Sequence, residues 1–253
     1  MIFPDLALVL AASPALVLAG AAKGGFGGTG AFAATPLLAL ALPPGDALGV
    51  MLPLLMGIDL ATLAAYWRRW SRPDARALML WGVPGVALGW ALFELIPPEA
   101  AKLALGLVAL AFVAFRVAQT LGWSPHGDPA FRPRRAALWG AAAGFTSFLA
   151  HAGGPPAAMA MVPRRLDKTA FQATMVVVFW WINLVKLGPY AALGLFGGGN
   201  LALSLALVPA AALGVVLGVV GHRRVSQLWF DRIILIGLAM VSVKLIADSL
   251  GGA

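Results

Sequence analysis

Apolar residues run along this chain in long unbroken blocks, and polar residues are confined to short breaks between them. The first block covers residues 6–22 and ends at Lys23-Gly24-Gly25-Phe26-Gly27-Gly28-Thr29-Gly30. A short apolar stretch then leads to Leu42 and the turn Pro43-Pro44-Gly45. Blocks follow at about 47–67, 77–96 and 100–121, and then a polar linker, 122–135, with Pro125, Pro129 and Pro133. Beyond it, the block 136–150 is broken at His151-Ala152-Gly153-Gly154-Pro155-Pro156. A short stretch to Val162 and blocks at about 169–195, 201–221 and 228–249 complete the chain. Each long block supplies the ~20 residues that a helix needs to cross a bilayer. Their continuous Ala, Leu and Gly content lacks the alternation of a transmembrane barrel.

The two halves resemble each other. Val83-Pro84-Gly85-Val86-Ala87-Leu88-Gly89 matches Val208-Pro209-Ala210-Ala211-Ala212-Leu213-Gly214, and the break at Gly27-Gly28 matches Gly153-Gly154. Asp46-Ala47-Leu48 falls opposite Thr169-Ala170-Phe171. Matched order as well as matched motifs reads as an internal duplication, a pattern common in transporters. The division is a first repeat at 1–121, a linker at 122–135 and a second repeat at 136–253.

Composition narrows the class. Of 253 residues, 61% are hydrophobic and 11% charged, with a mean hydropathy of +0.89. A soluble domain of this size needs more polar surface, which excludes a soluble enzyme, a nucleic-acid binder and a disordered chain. Cysteine is absent, removing disulfides, thiolate metal sites and cysteine nucleophiles. Three scattered histidines, His126, His151 and His222, do not suggest a metal site, and no cofactor is expected. The first block has no basic segment before it, so a cleavable signal is not expected.

Charge fixes the topology. Of the 18 Lys and Arg residues, 13 lie in four clusters: Arg68, Arg69, Arg72 and Arg76; Arg116, Arg132, Arg134 and Arg135; Arg164, Arg165 and Lys168; Arg223 and Arg224. The positive-inside rule makes all four cytoplasmic. Arg135 and Arg164 then share a side, yet the 28 residues between them fall short of the ~40 that two crossings require. This segment is therefore expected to enter, turn at Gly153-Gly154 and return as a re-entrant hairpin. The same logic applied to the first half inverts it. The expected fold is an all-α polytopic membrane protein of two inverted-topology repeats, each with a Gly-rich broken, re-entrant hairpin and three full transmembrane helices. Both termini fall outside. The expected location is a bacterial inner membrane, with lipid as a partner and a homo-oligomer left open.

Irregular backbone at membrane depth is tolerated where protein or water satisfies it, so the two breaks suggest a shared cavity. Short helices beginning at each break would aim unpaired N–H groups at an anion. Thr29 is placed to cap the first, and Pro155 and Pro156 suit the first turn of the second. Gly27, Gly28, Gly153 and Gly154 are candidate substrate contacts, with close helix packing as the alternative reading. Polar residues within apolar blocks are the other signal. Lys23 and His151 adjoin the breaks, Asp59 lies mid-block, and Asn183 and Lys186 share one helix face with Trp180 a turn before. Gly188-Pro189 is expected to kink or unwind that helix. Lys23, Thr29, His151, Asn183, Lys186 and Trp180 are thus substrate-site candidates, and Asp59 and His151 candidates for a coupling proton. For Asp59 and Lys186 a structural ion pair is an equal alternative, and for Lys23 snorkelling to an interface. Gln172 reads as a helix–helix hydrogen bond.

The run Gly24-Gly25-Phe26-Gly27-Gly28-Thr29-Gly30, with Thr35-Pro36-Leu37-Leu38 and Leu42-Pro43-Pro44-Gly45-Asp46-Ala47-Leu48-Gly49, resembles the sulfite exporter TauE/SafE family, also called the toluene sulfonate uptake permeases. Gly153-Gly154-Pro155 and the residues after it resemble that family's second repeat. The resemblance implies a secondary transporter of small sulfur-containing anions such as sulfite, sulfoacetate or other organosulfonates. A transporter of another solute (a carboxylate, an inorganic anion or a metal cation) is the alternative. A membrane-embedded enzyme is disfavoured, since no HExxH and no Ser–His pair at suitable spacing occurs.

Overall fold

The computed structural model describes residues 5–25, 31–93, 95–123, 130–221 and 227–251. Among them the chain is helical throughout, without a strand. The helices are α1 (Leu6–Gly25), α2 (Ala34–Leu38), α3 (Pro44–Ala65), α4 (Arg72–Phe93), α5 (Pro98–Thr120), α6 (Pro133–Ala150), α7 (Gly154–Met161), α8 (Lys168–Ala192), α9 (Gly198–Gly221) and α10 (Gln227–Gly251). Short 3-10 turns, Ala31–Ala33 and Val162–Arg164, precede α2 and follow α7. Six stretches are long and apolar enough to cross a membrane: Leu6–Gly24, Pro44–Ala64, Arg72–Phe93, Glu99–Thr120, Thr169–Ala192 and Gly198–Gly218. The outer surface carries large apolar side chains, with Leu80 68% and Leu205 74% exposed, as a lipid-facing surface requires and a water-facing one does not. The chain is thus a multi-pass helical membrane protein.

Local chemistry sets the helix ends. Proline opens α3, α5 and α6 within their first turns, where its missing N–H costs nothing. Asp167 caps α8, its Oδ1 accepting from Thr169 N at 2.9 Å and Ala170 N at 3.0 Å. α6 stops at His151, held in the left-handed region at φ 52°. The His151 N–H bonds the Ser147 carbonyl, the 5→1 bond of a left-handed helix stop, and the Ala152 N–H bonds the Thr146 carbonyl.

The chain then doubles back. Arg135, near the start of α6, donates from Nη2 to the Met159 carbonyl of α7 at 3.0 Å. The Arg164 guanidinium lies 5.7 Å from the Phe131 ring centroid and pairs with Asp74 at 3.0 Å. Residues 131–135, 159–164 and the start of α4 therefore share one end of the molecule. The opposite end joins the α2–α3 and α8–α9 turns, where Asn200 Nδ2 donates to Asp46 Oδ1 at 2.8 Å.

The most extensive helix pairings all join opposite sides of the linker: α1 on α9, α4 on α6, and α5 on α10. Glycine permits the first two. A Cβ at Gly85 or Gly144 would overlap backbone oxygen across the α4–α6 contact, and one at Gly20 or Gly214 would do so across α1–α9. Small residues bring helix backbones together where lipid supplies no hydrophobic drive. Two apolar cores result. One gathers side chains of α1, α2, α3, α5, α9 and α10, and the other those of α3, α4, α6, α7 and α8. α3 contributes to both, and the polar residues collect along this seam.

Of the kink or unwinding expected at Gly188-Pro189, the unwinding is absent: α8 runs unbroken to Ala192 with Pro189 inside it. The start of the first short arm, at Gly27-Gly28, lies outside the described residues. Its described part is a three-residue 3-10 turn followed by five helical residues.

Candidate functional site

The longest polar chain in the interior starts on α1. Lys23 is buried in its last turn, with its carbonyl accepting from Gln172 Nε2 of α8 at 3.4 Å. Its ammonium pairs with Asp59 Oδ1 of α3. The other carboxylate oxygen accepts from Asn183 Nδ2 of α8 at 2.9 Å. Asp59 is 1% exposed, and an ionised carboxylate so placed is tolerable only because both oxygens are bonded and one partner is a cation.

A second group lies beside it. Lys186, fully buried, donates to the Ser147 carbonyl at 3.0 Å, to Ser147 Oγ at 3.1 Å and to His151 Nδ1 at 2.7 Å. Three acceptors match three ammonium protons, and all three are neutral. The His151 Nε2 faces the Leu48 carbonyl of α3 at 3.2 Å. A carbonyl only accepts, so Nε2 carries the proton and Nδ1 keeps the lone pair that Lys186 uses. Tyr190 closes the back of the group, its hydroxyl donating to the Phe148 carbonyl at 2.6 Å and its ring centroid 5.5 Å from Lys186 Nζ.

Between the two groups is a cavity of about 30 Å³, lined by Lys23, Ser147, His151, Gly154 and Asn183 on its polar side and by Ala31, Phe32, Leu55 and Phe179 on its apolar side. It is water-sized. Its polar wall is rich in donors. Lys23 uses one ammonium proton on Asp59 and Asn183 one amide proton, while Ser147 Oγ accepts from Lys186 and donates to no described residue. Gly154 begins α7 and supplies the one N–H of its first turn that lacks a helical partner, since Pro155 and Pro156 carry none and the Ala157 N–H bonds the Gly153 carbonyl. Counting Lys23 and Lys186 against Asp59 gives the cluster one positive charge in excess when all three are ionised.

The structure sorts the sequence candidates. Lys23, His151, Gly154 and Asn183 line the cavity, and Asp59 touches two of them. Lys23 does not snorkel. Asp59 does not pair with Lys186, its partner being Lys23. Lys186 and Trp180 are not on the cavity wall. Lys186 holds two residues that are, and the Trp180 Nε1 is buried without a hydrogen-bond partner. Gly153 packs against the Ala143 carbonyl and the Phe179 ring, as the packing alternative proposed, whereas Gly154 faces open space. Gly27, Gly28 and Thr29 lie outside the described residues. Gln172 makes the helix–helix bond expected of it. Ser147 and Phe179 were missed. The signal was present, since each stands four residues before a named candidate, His151 and Asn183, and so on the same helix face. Among the described residues no group of three or more His, Cys, Asp or Glu side chains is arranged to hold a metal.

One comparison with known proteins gives a match. A family model described as Sulfite exporter TauE/SafE matches residues 12–245. Neither the curated proteins nor the solved structures give a match.

Proposed function

Because the chain belongs to the sulfite exporter TauE/SafE family, we propose that it is a secondary transporter that moves sulfite, sulfoacetate or other small organosulfonates across a bacterial inner membrane. The carrying observation is the donor-rich cavity at the seam between the two cores, formed by Lys23, Ser147, His151, Gly154 and Asn183, with the Lys23 ammonium on its wall. A sulfonate or sulfite presents three acceptor oxygens and a negative charge, which matches this wall in both hydrogen-bond sense and sign. A metal cation or a neutral solute would meet surplus donors. The apolar wall, Phe32 and Phe179 among it, suits the small organic group of a sulfonate.

Transport by alternating access follows if the halves 1–121 and 136–253 act as inverted repeats that rock about this point. Support comes from the reciprocal pairing of α1 with α9 and of α4 with α6. The hairpin of α6 and α7, whose ends meet at Arg135 and Met159, supports a re-entrant segment. With Arg72, Arg76, Arg132, Arg134, Arg135, Arg164 and Arg165 at one end, that end is cytoplasmic and both termini are outside. Sulfite is larger than water, so the occupied state draws the cavity walls apart.

Purified protein reconstituted into liposomes tests the proposal. Saturable sulfite flux, competed by sulfoacetate and not by acetate, is expected. Saturable flux of acetate with none of sulfite would overturn the substrate class.

A further inference from the structure

Lys23 serves two masters in this geometry: it is the only cation paired with Asp59 among the described residues, and it is the cation on the cavity wall. We infer that the transported anion and Asp59 compete for the Lys23 ammonium, so that anion binding transfers one proton from solvent to Asp59 and couples transport to protons. The inference rests on the anion-site reading above and adds the identity and the chemistry of the coupling group.

An anion bound in the cavity draws Lys23 away from Asp59 Oδ1. Asn183 remains as the second partner of Asp59 and is neutral. A carboxylate left almost fully buried with a single neutral donor cannot stay ionised at modest cost. It takes a proton on the oxygen that Lys23 vacated, and Oδ2 continues to accept from Asn183. The balance is simple: one anion and one proton enter the site together, and both must leave before the Lys23–Asp59 pair re-forms. Re-formation of that pair in the empty carrier returns the site to its resting charge.

Groups facing Asp59 from the packed helices are Lys23 on α1 and Asn183 on α8, with Lys186 one turn further along α8 and His151 at the α6–α7 turn. His151 is the poorer candidate on geometry. Its Nε2 proton is committed to the Leu48 carbonyl, and its Nδ1 lone pair receives Lys186 Nζ at 2.7 Å. A proton added there would set two cations in contact.

Methanesulfonate is the direct probe, since it neither gives nor takes a proton near neutral pH. Added to purified protein in weakly buffered detergent solution with a pH indicator, it should cause uptake of about one proton per anion bound. Its affinity should strengthen up to tenfold for each unit fall in pH, as linkage of one proton to one anion requires. Asp59→Asn, which keeps an oxygen toward Lys23, should bind methanesulfonate with no proton uptake and no such pH dependence. The wild-type pH series stands alone if that variant does not fold. Methanesulfonate binding without proton uptake in the wild type, or equal uptake in Asp59→Asn, overturns the coupling while leaving the anion site intact. No binding of methanesulfonate or of sulfite overturns both.

Discussion

A double-mutant cycle on Lys23 and Asp59 probes the seam through stability alone. The two side chains are 11% and 1% exposed, so the pair is desolvated and solvent screening is weak. Asp59→Leu leaves the Lys23 ammonium buried without its counter-charge and removes the acceptor of Asn183. Stranding one member of a buried pair costs about 3–5 kcal/mol, and the orphaned amide adds about 1–3 kcal/mol. Lys23→Met strands the carboxylate with Asn183 alone and costs a similar ~3–5 kcal/mol. The double variant removes both charges and both desolvation penalties, leaving chiefly the unpartnered Asn183 amide at ~1–3 kcal/mol. The singles should therefore sum to well above the double, with a coupling of at least ~3 kcal/mol. Reversible unfolding of the protein in mixed micelles, followed by tryptophan fluorescence, measures all four corners. Small single-variant losses that add within ~0.5 kcal/mol, as independent sites do, would refute a buried pair.

Other perturbations separate the roles of neighbouring residues. Lys186→Met should weaken sulfite binding at least ~10-fold, about 1.4 kcal/mol, because Ser147 and His151 lose their common anchor; titration calorimetry on folded variant reads this, and undiminished affinity contradicts the positioning role. Gly85→Val, placed where a Cβ would overlap the Ala141 carbonyl oxygen, should cost ~1–3 kcal/mol or more and reduce the monodisperse fraction in size-exclusion chromatography. Gly57→Ala, with open space around it, should elute as wild type. Asp74→Ala removes the carboxylate that Arg164 and Ser71 Oγ share at the end where the hairpin meets α4 and should lower stability by ~1–3 kcal/mol, readable in the same unfolding assay.

Much of the fold was legible because bilayer thickness turns length into a constraint. The hairpin was legible for a related reason: Arg135 and Arg164 are too close in sequence for two crossings, and the structure brings the ends of that segment together through Arg135 and Met159. Partner choice inside the seam was not legible. Asn183 and Lys186 share a broad helix face, yet three residues turn a helix by about 300°, so their side chains diverge by about 60° and reach different partners, Asp59 and His151. The Lys23–Asp59 pair depends on where α1 comes to rest against α3, which local periodicity does not encode. Trp180 drew notice as a large amphipathic ring beside Lys186. Its neighbour Phe179, one full turn before Asn183, is the residue that turns to the cavity.

Titration of sulfite into the purified wild type and Lys23→Met tests the anion site most directly. The account predicts saturable one-to-one binding to the wild type and affinity reduced at least ~10-fold, about 1.4 kcal/mol, in a variant that still elutes as folded protein. Equal affinity in the two proteins would contradict it.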